Sequence, residues 1–79
     1  MPSSKAMLAT ALAKANTAVQ LDNTQSHAFA RKYYQEACAL LSQLVNRASN
    51  EEDRQKLRAI RQTYFLRIEQ LENSIPEES

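Results

Sequence analysis

The sequence predicts an all-α fold, a three-helix antiparallel bundle with up-down-up order. The chain has 79 residues and no glycine, so the tight hairpin turns that depend on glycine are unavailable. Its two prolines, Pro2 and Pro76, lie near the ends, where neither interrupts a helix. Between them, apolar residues recur at helical spacing in three stretches that are separated by short polar breaks.

The first stretch predicts a helix over about residues 4–21. Ser3 or Ser4 stands at its start and can accept a hydrogen bond from one of the free amides there. The polar run 22–26 ends it, because Asp, Asn, Thr and Ser side chains compete for backbone groups. The predicted apolar face consists of Leu8, Ala11, Leu12, Ala15, Ala18 and Val19.

The second stretch, about residues 26–48, has the broadest apolar face of the three. Such width is typical of a helix that contacts two neighbours at once, so this helix is expected in the middle of the bundle. Its predicted core positions are Ala30, Tyr34, Ala37, Leu41, Leu44 and Ala48, flanked by Tyr33, Leu40, Cys38 and Val45.

The third helix is predicted over about residues 51–73. Ser49 and Glu52 have the spacing of a capping box, and Glu51 and Asp53 add negative charge at the positive end of the helix. Both connections are short, so consecutive helices are expected to pack antiparallel. The predicted core positions are Leu57, Ile60, Tyr64, Ile68 and Leu71.

Size and charge limit the classes of function. One domain of 79 residues buries only about 60% of the surface of its unfolded chain, so binding on the outer surface is expected rather than in a deep cavity. The net charge of +1 argues against a nucleic-acid partner. No apolar run approaches the roughly 20 residues of a membrane span, and the start lacks a signal peptide, so no membrane insertion is expected.

Chemistry-bearing residues are few. His27 has no second histidine or nearby cysteine with which to bind a metal, and a solvated or capping role is expected for it. Cys38 is the only cysteine, so it forms no internal disulfide and is expected to pack as a small apolar side chain. Because no acid-base pair, metal cluster or phosphate loop is visible, we expect no enzyme activity and no cofactor.

The residues at the helix contacts resemble those of the microtubule-interacting and trafficking (MIT) domain. The resemblance extends from about Leu8 to Asn73, and the absence of an internal repeat argues against an array of the related tetratricopeptide type. The residues that carry the resemblance to the MIT domain are Leu12, Ala15, Ala18 and Asp22 in the first helix, Ala30, Tyr34, Ala37 and Leu41 in the second, and Leu57, Tyr64, Arg67, Glu69 and Leu71 in the third.

The resemblance implies a class of partner. MIT domains bind short motifs in the C-terminal tails of ESCRT-III proteins, which form the filaments of membrane remodelling. One motif is a helix that lies between helices two and three, and another is an extended, proline-containing segment between helices one and three. We therefore expect a monomeric, cytoplasmic module, the N-terminal part of a longer protein, that is recruited to endosomal membranes.

The resemblance also points to binding residues. Phe65 and Leu66 lie about 100° and 200° round the third helix from Tyr64, off the core face. Phe65 matches the family position that receives the leucines of the helical motif, and Glu69 matches an acidic position that pairs with its basic residue. The set of expected partner-binding residues is Phe65, Glu69, Arg61, Leu66, Gln62 and Ala15, where Ala15 matches a position of the extended-motif groove.

Two alternatives stay open at this point. Phe65 and Leu66 could form a homodimer face, which would make the domain a self-associating bundle. Arg54, Arg58 and Arg61 lie along one helical face and could bind lipid or nucleic acid.

Overall fold

A computed structural model describes residues 3–74, and in this part of the chain three helices form an antiparallel bundle without a strand. α1 is Ser4–Asn23, α2 is His27–Arg47 and α3 is Glu51–Ser74. The predicted all-α class and helix order are confirmed, and the predicted ends differ by at most two residues. Pro2 and Pro76 lie outside the described residues.

The N-terminal caps differ in part from those expected. Ser3 caps α1, since its hydroxyl accepts a hydrogen bond from the Ala6 amide at 3.0 Å. At α3 the predicted capping box of Ser49 and Glu52 is wrong. Asn50 caps the helix, accepting from the Asp53 amide at 2.8 Å. It stands directly before the helix, so its short side chain reaches the third helical amide.

Both the predicted side-chain competition and the backbone geometry act at the end of α1, where the Thr24 hydroxyl donates to the Gln20 and Leu21 carbonyl oxygens at 3.3 and 3.1 Å. Gln25 has a φ of 65°, in the left-handed region that glycine would usually occupy. The Ser26 amide then bonds to the Leu21 carbonyl at 2.8 Å, and the Gln25 amide bonds to the Asp22 carbonyl at 3.0 Å. These two bonds are the pattern of a Schellman cap, which here extends α1 two residues past the expected end.

The middle helix packs closely against both of its neighbours, as expected from its broad face. Alanines occupy much of the interior, and small side chains let helix backbones approach closely. Tyr34 and Tyr64 stack with ring centroids 5.8 Å apart between α2 and α3. The buried residues are Met7, Ala11, Ala15 and Ala18 in α1, Ala30, Tyr34, Ala37, Cys38, Leu41, Leu44 and Val45 in α2, and Ile68 and Leu71 in α3.

The predicted apolar face of α1 is partly wrong. Leu12 and Val19 are 42% and 40% exposed, whereas Met7, which was not predicted to be a core residue, is buried. The interior face of α1 is centred on Met7 and the alanines. Close packing against α2 leaves room mainly for small side chains on this face. Leu12 and Val19 therefore lie at the edge of the face.

Asp22 links all three helices at one end of the bundle. Its two carboxylate oxygens accept hydrogen bonds from Nε and Nη2 of Arg67, each at 2.7 Å. The Tyr34 hydroxyl donates to the same carboxylate at 3.2 Å, and Nε2 of His27 lies 3.6 Å away. The Arg67 hydrogen bond holds the pKa of Asp22 below its usual value despite partial burial. Burial and the Asp22 carboxylate together raise the pKa of Tyr34 to about 12.

Candidate functional site

Two clefts run along opposite flanks of α3. The first, which we call the α2/α3 cleft, encloses about 630 Å³ and is open to solvent. Its lining residues come from one side of each helix: Gln35, Cys38, Ala39 and Ser42 from α2, and Arg61, Gln62, Phe65, Ile68, Glu69 and Glu72 from α3.

Phe65 is the largest apolar side chain in the α2/α3 cleft, and it is 48% exposed. The helical period explains this exposure. Tyr64 and Ile68 occupy the core-facing positions of α3, so Phe65 lies about 100° further round, at the edge beside α2. Half of the ring is therefore available to a partner, and the buried Ile68 forms the floor beneath it.

Charges of opposite sign occupy the two ends of the α2/α3 cleft. At one end, Nη1 of Arg61 donates to the Ser42 hydroxyl at 3.0 Å. At the other end are Glu69 and Glu72, for which residues 3–74 provide no ion-pair partner. These two carboxylates can accept hydrogen bonds from a basic side chain of a bound partner.

Cys38 lies on the α2 wall of this cleft and is buried, as expected of a small packed side chain. Its thiol faces the Arg61 carbonyl oxygen at 3.7 Å. Burial raises the pKa of the thiol, so the protonated form is favoured. A protonated thiol is a poor nucleophile. Cys38 therefore contributes to the cleft as part of its wall and not as a reactive group.

The second cleft, which we call the α1/α3 cleft, encloses about 460 Å³ where the starts of α1 and α3 flank the end of α2. Its floor is aliphatic and its rim carries the ionic side chains Lys5, Lys56 and Asp53. The remaining lining residues are Ser4, Leu8, Leu44, Ala48, Leu57 and Ile60.

The expected binding residues fall into three places. Arg61, Gln62, Phe65 and Glu69 all line the α2/α3 cleft. Leu66 is 48% exposed but lines neither cleft, because it lies another 100° round α3 from Phe65. Ala15 does not line an open groove as expected. It is only 1% exposed, because α1 turns this position toward the bundle interior.

Several cleft residues were not found from the sequence. Gln35 and Ser42 lie seven residues apart on α2 and so on one side of that helix, which is a weak signal for a cleft wall. Lys5 and Lys56 are 51 residues apart in the sequence, so only the tertiary fold brings them into one cleft.

The arginine side of α3 is largely occupied by internal contacts. Arg54 and Arg58 pair with Glu51 at 2.9 and 3.6 Å, and Arg54 also donates to the Ala48 carbonyl. Arg61 bonds to Ser42, as described above. Among the residues that the structure describes, no group of three or more His, Cys, Asp or Glu side chains could hold a metal ion. Within the same residues, no helix is long and apolar enough to cross a bilayer.

A comparison with protein families agrees with the resemblance seen in the sequence. The family model of the MIT (microtubule interacting and transport) domain matches residues 8–73, which is most of the chain. No curated protein and no solved structure matches the chain. MIT domains are protein-interaction modules that bind peptide motifs in partner proteins. The match covers all but the ends of the three-helix bundle, and the chain therefore belongs to the MIT domain family.

Proposed function

We propose that this domain binds short linear motifs in the C-terminal tails of ESCRT-III proteins. By doing so it recruits a longer host protein to the membrane-remodelling machinery of endosomes. The domain itself acts as a cytoplasmic, monomeric and non-catalytic adaptor. The observation that carries this proposal is the α2/α3 cleft, in which the exposed ring of Phe65 stands above a buried apolar floor.

The dimensions of the α2/α3 cleft favour a helical ligand. From Arg61 to Glu72 the lining residues of α3 span about 16 Å, or three helical turns. An amphipathic helix laid in such a groove places apolar side chains against Phe65 and Ile68 at i, i+3 and i+4 spacing. Glu69 and Glu72 then lie where they can pair with a basic residue of the ligand.

The geometry supports a monomer over the homodimer alternative. Phe65 and Leu66 are equally exposed, but they point in directions about 100° apart on α3. Of the two, only Phe65 lines a cleft, so the two side chains have different surroundings.

A second binding mode is proposed for the α1/α3 cleft, which by family resemblance receives extended, proline-containing segments. Its aliphatic floor of Leu8, Leu57 and Ile60 supports that role. Ala15 is buried and does not line this cleft.

A panel of synthetic ESCRT-III tail peptides tests the proposal by fluorescence anisotropy. We expect saturable binding of at least one tail, with competition by the same unlabelled peptide. Failure of every tail to bind would overturn the proposal. A molecular mass that rises with protein concentration in sedimentation would instead favour self-association.

A further inference from the structure

We propose that two copies of this domain pair weakly through one stripe of α3, with their α3 helices antiparallel. The stripe, which we call the α3 charge stripe, consists of Arg58, Arg61, Phe65, Glu69 and Glu72. Each copy then covers the α2/α3 cleft of the other, so the paired form cannot bind a tail peptide there. This regulatory consequence rests on the proposed function, whereas the pairing itself does not. The monomer remains the form that binds peptide.

The charges of the α3 charge stripe are arranged symmetrically about Phe65. Arg61 and Glu69 each lie four residues from Phe65. Arg58 and Glu72 each lie seven residues from it. All four lie within about 40° of Phe65 around the helix axis, so they share one side of α3.

This symmetry makes the stripe complementary to itself. If the two-fold axis of an antiparallel pair passes at Phe65, Arg61 lies opposite Glu69 of the second copy. Arg58 lies opposite Glu72 of the second copy in the same way, and symmetry forms each contact twice. Cations therefore meet carboxylates at every charged position, and the two Phe65 rings meet at the centre.

Other charges nearby leave this complementarity intact. Arg67 is the only further charged residue of α3 in the range 57–74, and it lies on the side toward α1, where it binds Asp22. Arg58 also lies 3.6 Å from Glu51, but both side chains are more than half exposed, so that ion pair is weak and open to competition.

The side chains of the stripe are accessible to a second copy. Glu69 and Glu72 are exposed and have no ion-pair partner among residues 3–74, and half of the Phe65 ring is exposed. Arg61 uses Nη1 for the Ser42 hydroxyl, which leaves its other N–H groups as donors. The α2 wall adds no charged side chain, since its lining residues are Gln35, Cys38, Ala39 and Ser42.

The proposed interface is small, so the pair should be weak. The stripe extends over about 21 Å of helix, and Phe65 is its only apolar member. Leu66 takes no part, because it lies about 100° from Phe65. Such an interface is smaller than the roughly 1,200 Å² of a standard stable complex. We therefore expect monomers at micromolar concentration and dimers only above about 0.1 mM.

Charge reversal tests the pairing in the full chain. In sedimentation velocity from about 10 µM to about 1 mM, the wild-type mass should rise toward that of a dimer, and added salt should oppose the rise. Arg58→Glu together with Arg61→Glu makes the stripe entirely acidic. Glu69→Arg together with Glu72→Arg makes it entirely basic. Each double variant alone should stay monomeric, because like charges then meet, whereas an equimolar mixture of the two should dimerise again.

Lys5→Glu together with Lys56→Glu is the matched control, because it reverses two charges on the other flank of α3, in the α1/α3 cleft. This variant should self-associate within about twofold of wild type. Circular dichroism checks that every variant is folded. A constant wild-type mass over the whole range, or folded double variants whose mixture stays monomeric, would overturn the inference.

Competition by peptide separates this inference from the proposed function. A tail peptide that binds the α2/α3 cleft of dilute protein should return concentrated wild-type protein to the monomer. If tails bind but the mass never rises, or if a peptide bound in this cleft leaves the dimer intact, this inference alone fails. If no tail binds while the mixture of charge-reversed variants dimerises, the proposed function fails and the pairing stands without its regulatory role.

Discussion

The two clefts differ in almost every chemical respect although α3 forms one wall of each. The α2/α3 cleft has an exposed aromatic ring and two carboxylates, Glu69 and Glu72, that have no ion-pair partner among residues 3–74. The α1/α3 cleft has an aliphatic floor and two lysines on its rim. Because core residues occupy one face of α3, its two flanks can differ independently. A single small bundle can thus present two clefts that differ in their side-chain chemistry.

The clefts also differ in how their walls are held. α2 and α3 pack closely along their length, and the Tyr34 and Tyr64 rings stack between them. α1 and α3 are joined at one end by the ion pair of Asp22 with Arg67, and the α1/α3 cleft opens toward the other end. The first cleft therefore depends on packing, and the second depends more on a single polar link.

The largest expected effect is that of Ala15→Asp, which would remove both clefts by unfolding the bundle. Ala15 is 1% exposed, so a carboxylate at this position would be buried in the bundle interior. An uncompensated buried charge destabilises a protein by about 3–5 kcal/mol. Thermal unfolding followed by circular dichroism measures this effect.

Asn16→Asp is the control for that variant. Asn16 is the next residue and is exposed, so the same charge there should change stability by less than about 0.5 kcal/mol. A folded Ala15→Asp protein with a normal melting temperature would show that Ala15 is accessible, as the family resemblance suggests.

Phe65→Asp should weaken ligand binding in the α2/α3 cleft and leave the α1/α3 cleft unchanged. The charge replaces the apolar anchor of a helical ligand, and we expect binding to weaken by about 2–4 kcal/mol, or roughly 30- to 1000-fold. Isothermal titration with a tail peptide that binds the wild-type domain measures the loss.

Leu66→Asp separates this effect from a general effect of surface charge. Leu66 is as exposed as Phe65 but lines neither cleft. Binding should therefore stay within about twofold of wild type. Equal losses in the two variants would mean that the ligand covers the outer face of α3 instead of the cleft.

Asp22→Ala should weaken the link between α1 and α3. It leaves the Arg67 guanidinium and the Tyr34 hydroxyl without their acceptor, which we expect to destabilise the bundle by about 2 kcal/mol. Urea unfolding measures the change. Glu36→Ala is the comparison, since its pair with Lys14 lies at the surface and should matter far less.

Lowering the pH should weaken the same ion pair between Asp22 and Arg67 and so destabilise the folded bundle. The folded state holds the pKa of Asp22 below the ordinary 3.8, chiefly through the Arg67 hydrogen bond. The stabilisation from Asp22 is thus fully present above the unfolded pKa and is lost as pH falls through the lower folded pKa. We expect the urea midpoint to fall between about pH 5 and pH 2, and to fall less in Asp22→Asn. Identical pH profiles would show that other carboxylates govern acid unfolding.

The smallest expected effect is a gain in stability from Gln25→Gly, which should leave both clefts unchanged. A non-glycine residue in the left-handed region is disfavoured by about 1–2 kcal/mol, partly offset by the entropy of glycine in the unfolded chain. We expect a net gain of about 0.5–1 kcal/mol in urea unfolding. A loss of stability would show that the Gln25 side chain has a role of its own.

The helical class, the number of helices and the central place of α2 could all be predicted from sequence. Helical periodicity determines which residues share a face, and the absence of glycine removes the main competing turns. Phe65 could be found in the same way, because its position relative to Tyr64 depends only on the helical period.

Which edge of each face meets a neighbour was decided by the tertiary structure alone. Leu12 and Ala15 share an apolar face in the sequence, yet close packing against α2 buries the alanine and leaves the leucine half exposed. Likewise, Lys5 and Lys56 share a cleft only because α1 and α3 begin at the same end of the bundle. Periodicity is a property of one helix, whereas the rotation of that helix against its neighbours depends on the side chains of all three.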